Sequence, residues 1–203
     1  FYKGKKYESK IALKKAKVKP LVLGPKEGIS LINGTQVSTA LAIKGCLNGE
    51  RLLKVADIAG ALSVENSFSS RKVFRSEVHI IKKHKGQIAC AKNVYKMLNG
   101  SDIVRSHSNC GRVQDPYSFR CIPHMHGACR DSFMNTAEMV NNEINSVSDN
   151  PLIMESGNVV SSGHFHAEHI AQAMDTLAIA FSELGAVSER RTHFFMKGVG
   201  EKI

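Results

Sequence analysis

Apolar residues recur every three or four positions along most of the chain, the spacing of one face of an α-helix. Val37 and Leu41, followed by Leu52, Val55, Ala59 and Leu62, form one such row. Ile81, Ile88, Ala91, Tyr95 and Leu98 form a second, which Asn99-Gly100 ends. Ile122, Met125, Cys129, Phe133, Val140, Ile144 and Val147 form a third over about 25 residues, or roughly 38 Å of helix. Ile170, Met174, Leu177, Phe181 and Leu184 read as a near-heptad seam. Rows this long are buried only against one another, so they predict a bundle or an oligomer in which the Met and Phe residues are core. Strand patterns are sparse. Leu152-Ile153-Met154 and Val159-Val160-Ser161 flank a turn-rich stretch and predict a small hairpin, and Phe1–Tyr7 with Gly4 a second. The expected fold class is therefore mainly α, a long-helix bundle core with one or two small β-hairpins. Residues 1–203 read as a single segment, with a lysine-rich lead-in over 1–24 and a helical core over 25–203.

Charge changes this picture little. The formal net charge is +10, but the first 20 residues hold eight lysines against Glu8. A smaller cluster (Arg71, Lys72, Arg75, Lys82, Lys83, Lys85) is offset by acids elsewhere. Without interleaved aromatics or an RNA- or DNA-binding motif, these lysines predict a solvated face and no nucleic-acid partner. No apolar run reaches the roughly 18–20 residues of a membrane span, so no membrane is expected either. The five cysteines (Cys46, Cys90, Cys110, Cys121, Cys129) form no CxxC pair. An odd set of this kind points to a reduced, cytoplasmic setting rather than a disulfide framework. Phe1 is not an initiator, and Ser188–Ile203 shows no clear helix stop beyond Gly198 and Gly200, so both ends read as the interior of a longer polypeptide.

Three stretches carry candidate chemistry. In Val113-Gln114-Asp115-Pro116-Tyr117-Ser118-Phe119-Arg120, Asp115 is the expected cap and Pro116 the first residue of a helix. Tyr117 and Arg120 then share one face of its first turn, a phenol and a guanidinium projecting together near a helix N-terminus. The arginine suits a carboxylate, held by two parallel hydrogen bonds, and the phenol suits a proton beside it. From spacing alone, an Arg120–acid pair beside a half-buried Tyr117 is the commoner outcome. Leu31-Ile32-Asn33-Gly34-Thr35-Gln36 breaks a helical pattern and predicts a loop with an exposed amide. The third stretch is Ser162-Gly163-His164-Phe165-His166-Ala167-Glu168-His169, in which His164, His166 and His169 suggest a metal. Its H-x-H-x-E-H order resembles the H-x-H-x-D-H run of metallo-β-lactamase-type hydrolases, with Glu168 where that family has Asp. That fold needs strands this chain does not offer, so no metal is expected. His124 and His126 fall inside a helical row, as does the Cys121–His124 pair.

In the same order along the whole chain, several stretches resemble the aromatic amino acid ammonia-lyases: the Asn-Gly-Thr-Gln loop, Gln114–Cys121, Asn145-Ser146-Val147-Ser148-Asp149-Asn150-Pro151-Leu152, Ser162–Glu168 and Ser188-Glu189-Arg190-Arg191. The Ser-Asp-Asn-Pro, Phe-His-Ala-Glu and Arg-Cys forms are most similar to the branch that acts on histidine. The resemblance implies a mainly helical homotetramer, each active site drawn from three subunits. It would eliminate ammonia from L-histidine to give urocanate. It further implies proton transfer at Tyr117, a carboxylate clamp at Arg120, Asn33 beside the electrophile and the substrate amine, and pocket positions at Gln114 and Phe165. The family's electrophile is a methylidene-imidazolone formed autocatalytically from Ala-Ser-Gly, and no Ala-Ser-Gly occurs in these 203 residues. The family places it upstream of the position matching Phe1, which implies a middle part of the subunit, inactive alone. His164 replaces a usual Asn and Phe119 a usual Leu, and Ile122, His124 and His126 alter the next helix. These departures leave phenylalanine or tyrosine as alternative substrates, with the His164/His166/His169 hydrolase as the alternative from another class.

Overall fold

The computed structural model describes residues 1–109 and 111–198, so Cys110 and Gly200 lie outside the described residues. The chain divides into two units, one of residues 1–34 and 149–166, the other of residues 35–148 and 167–203.

The first unit holds the short helices α1 (Ser9–Ala16) and α2 (Glu27–Ile32). Strands β1 (Leu152–Ile153) and β2 (Val159–Val160) pair antiparallel as Leu152 with Val160 and Ile153 with Val159, the hairpin expected there. Near the N-terminus the pairing shrinks to one bridge between Tyr2 and Lys5 around Gly4, too little for a second hairpin. Asp149 organises the unit. Its carboxylate takes the Lys26 ammonium and the Ser30 hydroxyl (2.7 Å), and the lysine holds its pKa down at about 2. Next to it, Asn150 Oδ1 accepts from the Ser162 amide at 2.6 Å.

The second unit is the helical bundle. Its long members are α3 (Gln36–Asn66), α5 (Lys85–Met97), α8 (Ile122–Ile144) and α9 (Glu168–Gly198), with α4 (Ser76–Ile80), α6 (Asp102–Ser106) and the four-residue α7 (Tyr117–Arg120) between them. Gly100, at φ +81°, ends the run that α5 begins, as Asn99-Gly100 predicts. On α9 the seam is buried as its spacing predicts, at Ile170, Leu177 and Leu184 with Ala173, Ala180 and Val187. By length and composition α9 could also cross a membrane, which amends the sequence expectation. Its buried positions nevertheless recur at helical spacing against α3 and α8, as in a core helix.

Helix α3 departs from the sequence reading. Val37, Leu41, Leu52, Val55 and Leu62 are 51–70% exposed, so that row faces outward. The inward face is Thr39, Ala42, Gly49, Leu53, Asp57, Gly60, Ala61 and Val64. The helix is apolar on both sides, and close approach selects the face richer in small residues. The same holds where α5 meets α8. A methyl on Gly127 would lie 2.5 Å from the Gln87 amide nitrogen, so only glycine permits this crossing. There, Asp131 of α8 accepts from the Gly86 amide at 2.7 Å, satisfying a free N–H of α5's first turn.

Candidate active site

Helix α7 has no side-chain cap of its own. The expected cap, Asp115, is buried, and its carboxylate accepts from the Ser70 amide (2.7 Å) and from Arg112 (3.3 Å) instead. A tertiary partner thus takes the oxygen that local sequence assigned to the helix start. What fixes α7 is Phe119, 0% exposed, in edge contact with Phe194 and Phe195 of α9 at ring separations of 4.9 and 5.8 Å. With Phe119 pinned inward, Tyr117 and Arg120 are left together on the other side. The Arg120 guanidinium lies 4.7 Å from the centre of the Tyr117 ring, and Tyr117 is 72% exposed.

Arg120 Nη2 donates to Gln114 Oε1 at 3.0 Å, whereas its Nε is buried without a hydrogen-bond partner. No acid takes this guanidinium among the described residues, so the ion-pair alternative for Arg120 is not the one the fold adopts. Arg120 and Gln114 line a cavity of about 400 Å³ with Lys72, His107 and Arg112. His107 Nε2 is also buried and unpartnered. A buried polar atom without a partner costs on the order of 1–3 kcal/mol, and both lie closed to solvent in residues that line the cavity. The chemistry offered is an anion clamp with a phenol at its side.

The structure brings Gln114, Tyr117 and Arg120 together in the second unit. Asn33, half-buried after α2 in a loop where Gly34 has φ +144°, and the exposed Phe165 belong to the first unit. Lys72, His107 and Arg112 had no signal as site residues in the sequence, being dispersed side chains that only folding gathers.

The expected histidine cluster is surface chain. His164, His166 and His169 are exposed, and His164 Nδ1 pairs with Ser162 Oγ at 2.8 Å. Among the described residues, the trio whose ligand atoms converge within 4.8 Å is Asp57, Cys90 and His126, deep in the bundle. It suits an ion poorly. Arg130 already donates to Asp57 at 2.7 Å and Arg191 faces His126 at 3.4 Å. Burial, with the Asp57 charge beside it, pushes the Cys90 thiol far above its ordinary pKa, away from the thiolate a metal requires.

The mainly helical scaffold carries an arginine–tyrosine pair beside a cavity lined by Lys72, Arg112 and Asp115. A profile of the aromatic amino acid lyases matches residues 1–200, and the chain belongs to that family. Histidine ammonia-lyase of Bradyrhizobium diazoefficiens is 50% identical over 190 residues, covering 93% of this chain and 37% of that one. The Desulfotalea psychrophila histidine ammonia-lyase is 44% identical, covering 94% of this chain and 38% of its own length. Among solved structures, histidine ammonia-lyase of Trypanosoma cruzi superimposes with a TM-score of 0.79 at 34% identity, over 90% of this chain and 34% of that one. Phenylalanine aminomutase of Pantoea agglomerans does so at 0.88 and 32% identity, over 97% of this chain and 42% of that one. The chain thus spans well under half the length of these relatives.

Proposed function

We propose that this chain forms the middle part of a subunit that eliminates ammonia from L-histidine to give urocanate. The observation that carries the reading is the setting of Arg120: a guanidinium stacked on an exposed phenol, held by Gln114 rather than by an acid, and lining a cavity. In this reading the substrate carboxylate takes the Arg120 guanidinium from the cavity side, while Gln114 steadies Nη2. Tyr117 acts as the base and accepts the proton from the substrate's β-carbon. The electron pair of that C–H bond becomes the new double bond as the C–N bond breaks, so urocanate forms, and the released ammonia takes the proton back from Tyr117 and departs as ammonium. A positioned base of this kind contributes about 10²–10⁴-fold.

The family is the methylidene-imidazolone-dependent class. A complete site would include that electrophile, which makes the amine a better leaving group. What this chain presents fits such a neighbour: a concave wall lined by Lys72, Arg112 and Arg120, with the exposed Tyr117 phenol stacked on Arg120. Asn33 is the residue proposed to face it, with Phe165 as a further pocket wall.

The outward apolar row of α3 supports assembly with further copies, as a homotetramer. Val37, Leu41, Val55 and Leu62, each more than half exposed, need a partner surface.

The test is to give the complete subunit L-histidine, L-phenylalanine or L-tyrosine and follow ammonia together with the ultraviolet band of the acrylate product. Histidine alone, or by far the fastest, is expected. A preference for phenylalanine or tyrosine would move the chain to another substrate of the same chemistry, and no ammonia from any would refute the elimination.

A further inference from the structure

We infer that the buried Asp57 cluster is a positioning device for Tyr117 and Arg120, transmitting the packing of four helices to the four residues of α7. Asp57, 2% exposed in the middle of apolar α3, accepts from His126 Nδ1 (3.1 Å), Asn93 Nδ2 (2.8 Å), Arg130 Nη2 (2.7 Å) and Cys90 Sγ (3.2 Å). These partners come from α5 and α8. A fourth helix enters through Arg191 of α9, whose guanidinium faces His126 Nε2 at 3.4 Å. Guanidinium nitrogens only donate, so Nε2 accepts and Nδ1 carries the proton given to Asp57. Burial alone would raise the Asp57 pKa, but the hydrogen bonds from His126, Asn93 and Cys90 and the charge of Arg130 outweigh it and hold the carboxylate ionised.

Two routes lead from this cluster to α7. Arg191 lies one helical turn before Phe194 and Phe195, the rings that hold Phe119. On the other side, Cys90 reaches the Ile122 carbonyl at 3.9 Å, and His126 belongs to the same opening turns of α8, which begins two residues after Arg120. A helix of four residues without a side-chain cap has too few internal bonds to set its own orientation. The flanking elements must set it, and both are tied to one carboxylate. Ion binding is a weaker account of the cluster, since its anion is already matched by Arg130 and Arg191.

The inference rests on the reading of Tyr117 and Arg120 as substrate-handling groups, so its test includes a readout that needs no substrate. In the complete subunit, Asp57→Asn keeps the shape and removes the charge. Hydrogen exchange should then quicken at the Phe119, Arg120 and Cys121 amides while α3 and α9 stay protected. Steady-state kinetics should show KM raised and kcat lowered together, each by about tenfold or more, because both side chains ride on one turn. A merely structural role would quicken exchange throughout and leave KM unchanged. Phe119→Ala removes the ring and cuts the last link without touching Asp57, and the double variant should be little worse than the poorer single one. Unaltered α7 exchange, unchanged KM or fully multiplicative losses would each overturn the inference. Should Asp57→Asn fail to fold, Arg191→Lys interrupts the α9 route and is read in the same way. Loosened α7 exchange in a protein that never forms urocanate would sink the substrate reading and leave the positioning intact.

Discussion

The α5–α8 crossing gives a prediction whose sign local propensity gets wrong. Gly127→Ala, judged as a helical substitution, should stabilise α8 by about 1 kcal/mol. The added methyl would sit 2.5 Å from the Gln87 amide nitrogen and 2.9 Å from its Cβ. The nearest atoms are backbone, which cannot rotate aside, so α5 must move away from α8. Overpacking of this kind costs about 1–3 kcal/mol. The shift would also lengthen the 2.7 Å bond from the Gly86 amide to Asp131, and a hydrogen bond to a charged group contributes about 1.5–3 kcal/mol. After the propensity gain the net loss is about 1.5–5 kcal/mol, which lowers Tm by several degrees, less per kcal/mol the longer the chain that melts as one unit. A thermal melt of the complete subunit, wild type against variant, measures it. An unchanged or raised Tm would show that these two helices do not meet as described.

Two more outcomes follow from the same geometry. His124 Nδ1 is buried without a partner, and desolvation, with His79 and Lys82 nearby, lowers the pKa of its ring. The unfolded chain therefore takes up that proton at higher pH than the folded one, and stability should fall as pH drops below about 6.5. Melts at pH 7.5 and 5.5 should separate, and His124→Gln should narrow the gap; an identical gap in the variant would remove His124 as its cause. On the outward row of α3, Val55→Asp changes a residue 58% exposed and should leave helicity intact while lowering the assembled mass by light scattering. A variant that still assembles fully would place the interface elsewhere.

The long helices were legible because three- and four-residue spacing survives in α9 and, as far as Val140, in α8. Ile81, Ile144 and Val147, read as the ends of their rows, are exposed, and Ile81 and Val147 lie outside α5 and α8. Which face of α3 points inward was not, because Leu52 and Leu53 are equally apolar and the choice rests on Gly49, Gly60 and Ala61 admitting neighbours closely. The pairing of Tyr117 with Arg120 was readable from their i, i+3 placement, although the reason given for the helix start was not. Asp115 turns to Ser70, a partner 45 residues away. The cavity wall was invisible for the same cause: Lys72, His107 and Arg112 gain meaning only when the fold gathers them. Asp57 was not legible either, because the row read for α3 (Leu52, Val55, Ala59, Leu62) is not the face that folding buries, and the carboxylate lies on the one that is.

The central claim is that one short turn supplies both the carboxylate clamp and the base, and paired variants of the complete subunit test it most directly. Arg120→Lys keeps the charge but loses the planar fork, so KM for histidine should rise by about 10–100-fold with a smaller effect on kcat. Tyr117→Phe should leave KM nearly unchanged and lower kcat by about 10²–10⁴-fold. That crossed pattern in urocanate formation is the predicted result. Wild-type kinetics in both variants, or the same effect from each, would contradict the account.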